Sequence, residues 1–100
     1  MPPVVRLGDT CTGHECFPPR ANFSGSPNVF VNGRPVHRVG DSWDIHTCTH
    51  DNVPHGSHGG VQASGSSKVF VNGRAIARIG DSVSCGSLCA TGSNNVYAGG

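Results

Sequence analysis

Residues 25–43 of this chain, GSPNVFVNGRPVHRVGDSW, return forty positions later as GSSKVFVNGRAIARIGDSV, with twelve identities in nineteen aligned positions. A repeat this dense within 100 residues must set the architecture, because each copy is one supersecondary unit too small to bury an apolar face alone. Each copy reads as a β-hairpin. Val29-Phe30-Val31 is an apolar run of strand formers, Asn32-Gly33 is the turn, and Val36 and Val39 follow among polar positions. Asn-Gly suits a type I′ turn, since both residues tolerate positive φ and that turn's twist matches the flanking strands.

The repeat does not stop at two copies. Its second half, an x-x-Arg-x-Gly-Asp pattern, opens the chain as Pro3-Val4-Val5-Arg6-Leu7-Gly8-Asp9, and its first half closes the chain as Gly92-Ser93-Asn94-Asn95-Val96-Tyr97-Ala98-Gly99. End and beginning together complete a third copy. The expected arrangement is three hairpins around a pseudo-threefold axis, the last strand pairing with the first so that no sheet edge stays open between them.

Composition narrows the class. With 35% hydrophobic residues and 15 glycines, residues 1–100 read as a single domain, too lean in apolar side chains to be stable without a staple. No ten-residue segment has helical apolar periodicity with plausible caps, so the chain is expected to be all-β. The net charge of +1, from basic residues scattered along the chain, argues against nucleic acid or an anionic membrane surface as a partner. The N-terminus, MPPVVRLGD, lacks the apolar run of a signal peptide, and no window resembles a membrane span. A cytoplasmic origin is expected.

Three connections interrupt the repeat: Thr10–Ser24, Ser42–Ser64 and Ser82–Thr91. They read as loops, and they hold all five cysteines (Cys11, Cys16, Cys48, Cys85, Cys89) and every histidine except His37. Such a concentration in a core-poor domain points to a metal site. Repeat phasing selects the ligands: His14 lies six residues after Gly8, His46 six after Gly40, and Cys85 five after Gly80. Equivalent positions around an axis converge on a point. His58 completes a tetrahedral set, with His50 and His55 of the same connection as rivals. Three imidazoles and a thiolate suit Zn²⁺. The remaining cysteines could form disulfides, an arrangement disfavoured by a cytosolic origin. His37, which replaces Val5 and Ala77 of the sister units, is expected on the surface or facing a partner. Arg6, Arg38 and Arg78 are expected to pack along the strands or to pair with Asp9, Asp41 and Asp81.

The units Pro3-Val4-Val5-Arg6, Pro35-Val36-His37-Arg38 and Ala75-Ile76-Ala77-Arg78, each followed by x-Gly-Asp, together with the Gly-Ser-x-x-Val strands, closely resemble the PAAR-repeat proteins. That family takes its name from a Pro-Ala-Ala-Arg motif, which no unit here spells in full. The resemblance covers essentially the whole chain.

It implies a small conical domain of short β-hairpins, with a triangular base and a metal site near the vertex, where zinc is held by three histidines and one cysteine. His14, His46, His58 and Cys85 match that set. It also implies a partner: the blunt end of a trimeric β-helical spike, either VgrG of a type VI secretion system or the central spike of a contractile phage tail. One chain would cap one trimer and meet the target membrane transiently as sheath contraction drives the tip through it. Made in the cytoplasm, the chain would be delivered to the target envelope at the end of the spike. Short hairpins can also satisfy the open strand ends of such a spike by β-augmentation. The contact is expected among Val29, Phe30, Val31, Val69, Phe70, Val71, Val96 and Tyr97, on one face of each strand.

The competing class is a small zinc-dependent hydrolase or effector. A catalytic zinc keeps an open position beside a general base. Of the acidic residues Asp9, Glu15, Asp41, Asp44, Asp51 and Asp81, only Glu15 beside His14 is a tempting base. Toxic activity in this family usually resides in appended domains, and the repeat fills the sequence, so no effector domain is expected. A zinc module for nucleic acid lacks its paired Cys-x-x-Cys knuckles here.

Overall fold

The computed structural model describes residues 1–50 and 53–100; Asp51 lies outside them. The protein is all-β, with no helix among the described residues. Among the described residues six strands form three antiparallel pairs: β1 (Phe30–Val31) with β2 (Arg34–Pro35), β3 (Ser42–His50) with β4 (Val53–Val61), and β5 (Phe70–Val71) with β6 (Arg74–Ala75). Phe30 faces Pro35 and Val31 faces Arg34, a register repeated by Phe70 with Ala75 and Val71 with Arg74. The turns follow from their Asn-Gly sequence. Asn32 and Gly33 stand at φ +55° and +74°, Asn72 and Gly73 at +55° and +77°, as a type I′ turn requires.

Backbone hydrogen bonds stitch the units to one another. The Val5 amide donates to the Ala77 carbonyl (2.9 Å), Ala77 to His37 (3.0 Å) and His37 to Val5 (3.0 Å), a closed ring of three bonds. A second ring runs outside it: Leu7 donates to Pro35 (2.8 Å), Val39 to Ala75 (2.9 Å) and Ile79 to Pro3 (2.9 Å). Within the hairpins, Val36 donates to Val29 and Ile76 to Val69, both at 3.0 Å, and Val4 donates to Val96 at the same distance. The last of these joins the two ends of the chain. Pro3 and Tyr97 are bridged antiparallel beside it.

Each Arg-x-Gly-Asp forms a tight turn. The Asp amide donates to the Arg carbonyl at 3.0 Å in all three units, and the glycines at the third position, Gly8, Gly40 and Gly80, stand at φ +88°, +89° and +93°. That left-handed conformation is strained for any residue with a Cβ. The carboxylate then folds back, so that Asp9, Asp41 and Asp81 accept Nε of Arg6, Arg38 and Arg78 at 3.0, 2.9 and 3.0 Å. The expected arginine–aspartate pairing is therefore present in every unit.

Period-2 alternation separates two small cores. Val4, Val36 and Ile76 turn into one, with Val71 and Ala98 and, partly buried, Val31 and Val96. Their neighbours Val5 and Ala77 turn into the other, with Cys11, Trp43, Val83 and Cys89. His37 is the third member of that second set of neighbours, and here the surface expectation is overturned. It is 0% exposed, its ring meets Trp43 edge to face at 5.2 Å, and its Nδ1 donates to the Ser24 carbonyl at 2.9 Å. The hydrogen-bonded ring dictates this result, because a residue equivalent to Val5 and Ala77 points inward whatever its side chain.

The second connection also departs from its reading as a loop. It forms β3 and β4, the longest strands of the protein. Trp43, His46 and Cys48 are all buried along β3, and Trp43 and His46 are an odd number of residues apart. A regular strand would send them to opposite faces. Register shifts between Trp43 and His46 and between Thr47 and Thr49 reset the phase.

Candidate metal centre

The three connections converge on one cluster. His14 comes from the first, His46 and His58 from opposite positions on β3 and β4, and Cys85 from the third. Their ligand atoms all lie within 4.8 Å of one another. His58 Nε2 is 2.9 Å from His14 Nε2 and 2.7 Å from His46 Nε2. The side chains of the rival ligands His50 and His55 lie outside the described residues.

The geometry suits a cation. His46 Nδ1 is 2.8 Å from the Pro18 carbonyl oxygen. A carbonyl only accepts, so Nδ1 carries the proton and Nε2 turns its lone pair into the cluster, the tautomer that a metal ligand needs. Burial holds His46 below the ordinary imidazole range, and the charges of Arg20 and the other two histidines lower it further against the Pro18 bond. His58 is lowered by burial, then by His14 and Arg20. Three ring nitrogens this close cannot all be served by N–H donors. A cation among them with the Cys85 sulfur resolves the conflict, and three nitrogens with one sulfur are a donor set that can hold a metal ion.

Residues that the repeat pattern could not single out complete the surroundings. The Phe17 ring packs against all three imidazoles, with centroids 4.9 Å from His14, 4.9 Å from His46 and 4.2 Å from His58. Burial pushes the Cys85 thiol up, and hydrogen bonds from the Ser87 backbone and Arg20 more than offset it, leaving it below the ordinary thiol value. Cys89 is the contrast: burial pushes it up to about 12, and it donates as a neutral thiol to Gln62 Oε1 at 3.2 Å. The one available signal was Phe17-Pro18-Pro19-Arg20, a dense run with no counterpart in the other connections.

Cys16 and Cys48 form a disulfide, with Cα atoms 5.0 Å apart; Cys11, Cys85 and Cys89 are free. The bond runs against the sequence expectation, and its cause is local. Cys16 follows His14 by two residues, Cys48 follows His46 by two, and bringing the histidines together brings the cysteines together. Glu15, the candidate base, sits in this turn at φ +50°.

An all-β body whose connections gather a His₃Cys cluster defines a small β-protein with a candidate metal site. The family model described as PAAR motif matches residues 21–91, and the chain belongs to that family. No curated protein matches the chain significantly.

Proposed function

We propose that this protein is a structural tip, which caps a trimeric β-helical spike of the VgrG or phage-tail type and is stiffened by a structural zinc ion. The observation that carries the reading is a repeated apolar position: Phe30, Phe70 and Tyr97, equivalent in the three units, are 56%, 58% and 50% exposed. Exposed aromatics at a fixed repeat position suit a partner that presents three like surfaces, and a trimer does so. Short strands beside them can extend the partner's strand ends. Zinc is preferred for the His₃Cys donors. In this reading three units sit about a pseudo-threefold axis, one chain binds one trimer, and the protein travels from the cytoplasm at the point of the spike into the target envelope.

The hydrolase reading is weaker. Four convergent protein donors fill a tetrahedral shell, whereas a catalytic zinc keeps a position open for water.

The test is to mix the purified chain with a trimeric β-helical spike from the same genome and to weigh the complex by native mass spectrometry. One chain per trimer is expected, lost in the Phe30→Asp/Phe70→Asp double variant while circular dichroism is unchanged. Absence of a complex, or a stoichiometry of one chain per spike protomer, would count against the proposal.

A further inference from the structure

Arg20 is a buried guanidinium with no carboxylate partner among the described residues. A charge removed from water needs compensation, and the acceptors around Arg20 come from all three connections. Nη1 donates to Cys11 Sγ at 3.0 Å and approaches Ser87 Oγ at 3.4 Å, Nη2 donates to Cys85 Sγ at 3.2 Å, and Nε donates to the Asp44 carbonyl at 2.8 Å. The guanidinium carbon lies 5.3 Å from the centre of the Trp43 ring. Its place is also kept open by the backbone: a Cβ at Gly60 would stand 3.1 Å from Nη2.

From this geometry we propose that Arg20 is the positioning residue of the metal centre, fixing the Cys85 sulfur from outside the four donors while anchored on Cys11 and the Asp44 carbonyl. The inference rests on reading His14, His46, His58 and Cys85 as metal ligands. Cys85 belongs to the third connection, where its sulfur also accepts from the Ser87 backbone, and its histidine partners belong to the first two, so contacts that cross between connections are what hold the sulfur in register with them. The planar fork of an arginine spans them, since it directs several N–H groups outward in one plane. Its N–H···S bond also draws electron density from a metal-bound sulfur, as outer-shell donors do.

The experiment compares wild type with Arg20→Met, which keeps an apolar stem against Trp43, and with Arg20→Lys, which keeps the charge but loses the fork. Zinc affinity is read by chelator competition, and the sulfur-to-metal charge-transfer band by cobalt(II) substitution. Arg20→Met is expected to bind zinc about 10- to 100-fold more weakly with the cobalt band moved to lower energy, and Arg20→Lys to restore neither. Unchanged affinity, an unmoved band, or full rescue by lysine would each overturn the proposal. Should Arg20→Met not fold, Arg20→Lys and its cobalt band decide. A wild type that binds neither ion sinks the metal reading itself, an outcome distinct from failure of the Arg20 role.

Discussion

His37 and Trp43 meet edge to face inside the protein, ring centroids 5.2 Å apart with planes at 78°, and His37 Nε2 has no hydrogen-bond partner among the described residues. Burial holds this imidazole below its ordinary range, against the raising influence of the Ser24 carbonyl and Asp41. Arg38 opposes its protonation as well. The unfolded chain therefore takes up a proton at a pH where the folded protein does not, and stability falls as pH drops below the ordinary histidine value. His37→Val, which installs the residue of the first unit, should flatten the decline in melting temperature between about pH 7 and pH 5, where an unperturbed histidine titrates. Parallel wild-type and variant profiles would refute the assignment.

The Arg38–Asp41 pair is the most enclosed of the three turn pairs, its side chains 8% and 5% exposed. Asp41 accepts the Arg38 amide at 2.8 Å as well as the guanidinium. Burial alone would raise its carboxyl, and the Arg38 hydrogen bonds more than offset that, leaving it below the usual carboxylate range. The contribution is complete above the ordinary carboxylate value and is lost as pH falls through the lower, folded one. Asp41→Ala should destabilise the protein by about 3–5 kcal/mol, the cost of leaving a buried partner unpaired. Urea unfolding at neutral pH would measure it, and a loss below about 1 kcal/mol, the scale of a surface pair, would contradict the assignment.

Metal analysis of the purified protein should find one zinc ion per chain. His14→Ala, His46→Ala, His58→Ala and Cys85→Ala should each lose it and melt at lower temperature, as should the wild type after chelation, because metal binding and folding are linked. A single variant that keeps full zinc content would remove its residue from the ligand set.

The Cys16–Cys48 disulfide closes a loop with a sequence separation of 32. Chain-entropy arguments put the stabilisation at roughly 3–4 kcal/mol for such a loop, less any residual order in the reduced unfolded chain. The Cys16→Ser/Cys48→Ser protein should lose stability by up to that amount, and the wild type in dithiothreitol should approach it. Identical melting of all three samples would show that the bond does no thermodynamic work.

How much of this was legible in the chain depended on whether local chemistry or tertiary context decided each feature. Asn32-Gly33 and Asn72-Gly73 announced their turns because positive φ is a local demand, and the Arg-x-Gly-Asp units announced theirs for the same reason. The convergence of His14, His46 and Cys85 could be anticipated because phase within a repeat carries three-dimensional information. His37 could not, since its polarity argued for the surface while the ring of backbone bonds had already assigned it to the interior. The β3–β4 hairpin was hidden by bulges that break alternation between Trp43 and His46. Arg20 was hidden more deeply. The run Phe17-Pro18-Pro19-Arg20 marks its place, but does not tell an arginine that reaches across three connections from one that reaches into water.

The hydrogen bond from the Val4 amide to the Val96 carbonyl has a consequence for biogenesis. A nascent chain with residue 4 outside the ribosome lacks the native acceptor for that amide, leaving it to water, until residue 96 has been synthesised and released from the exit tunnel. The inner ring imposes a similar delay on Val5, which waits for Ala77. Closure thus waits on residues more than seventy positions away, with the long sequence separations that slow folding. Until then the exposed edges of the early strands need protection from wrong pairing.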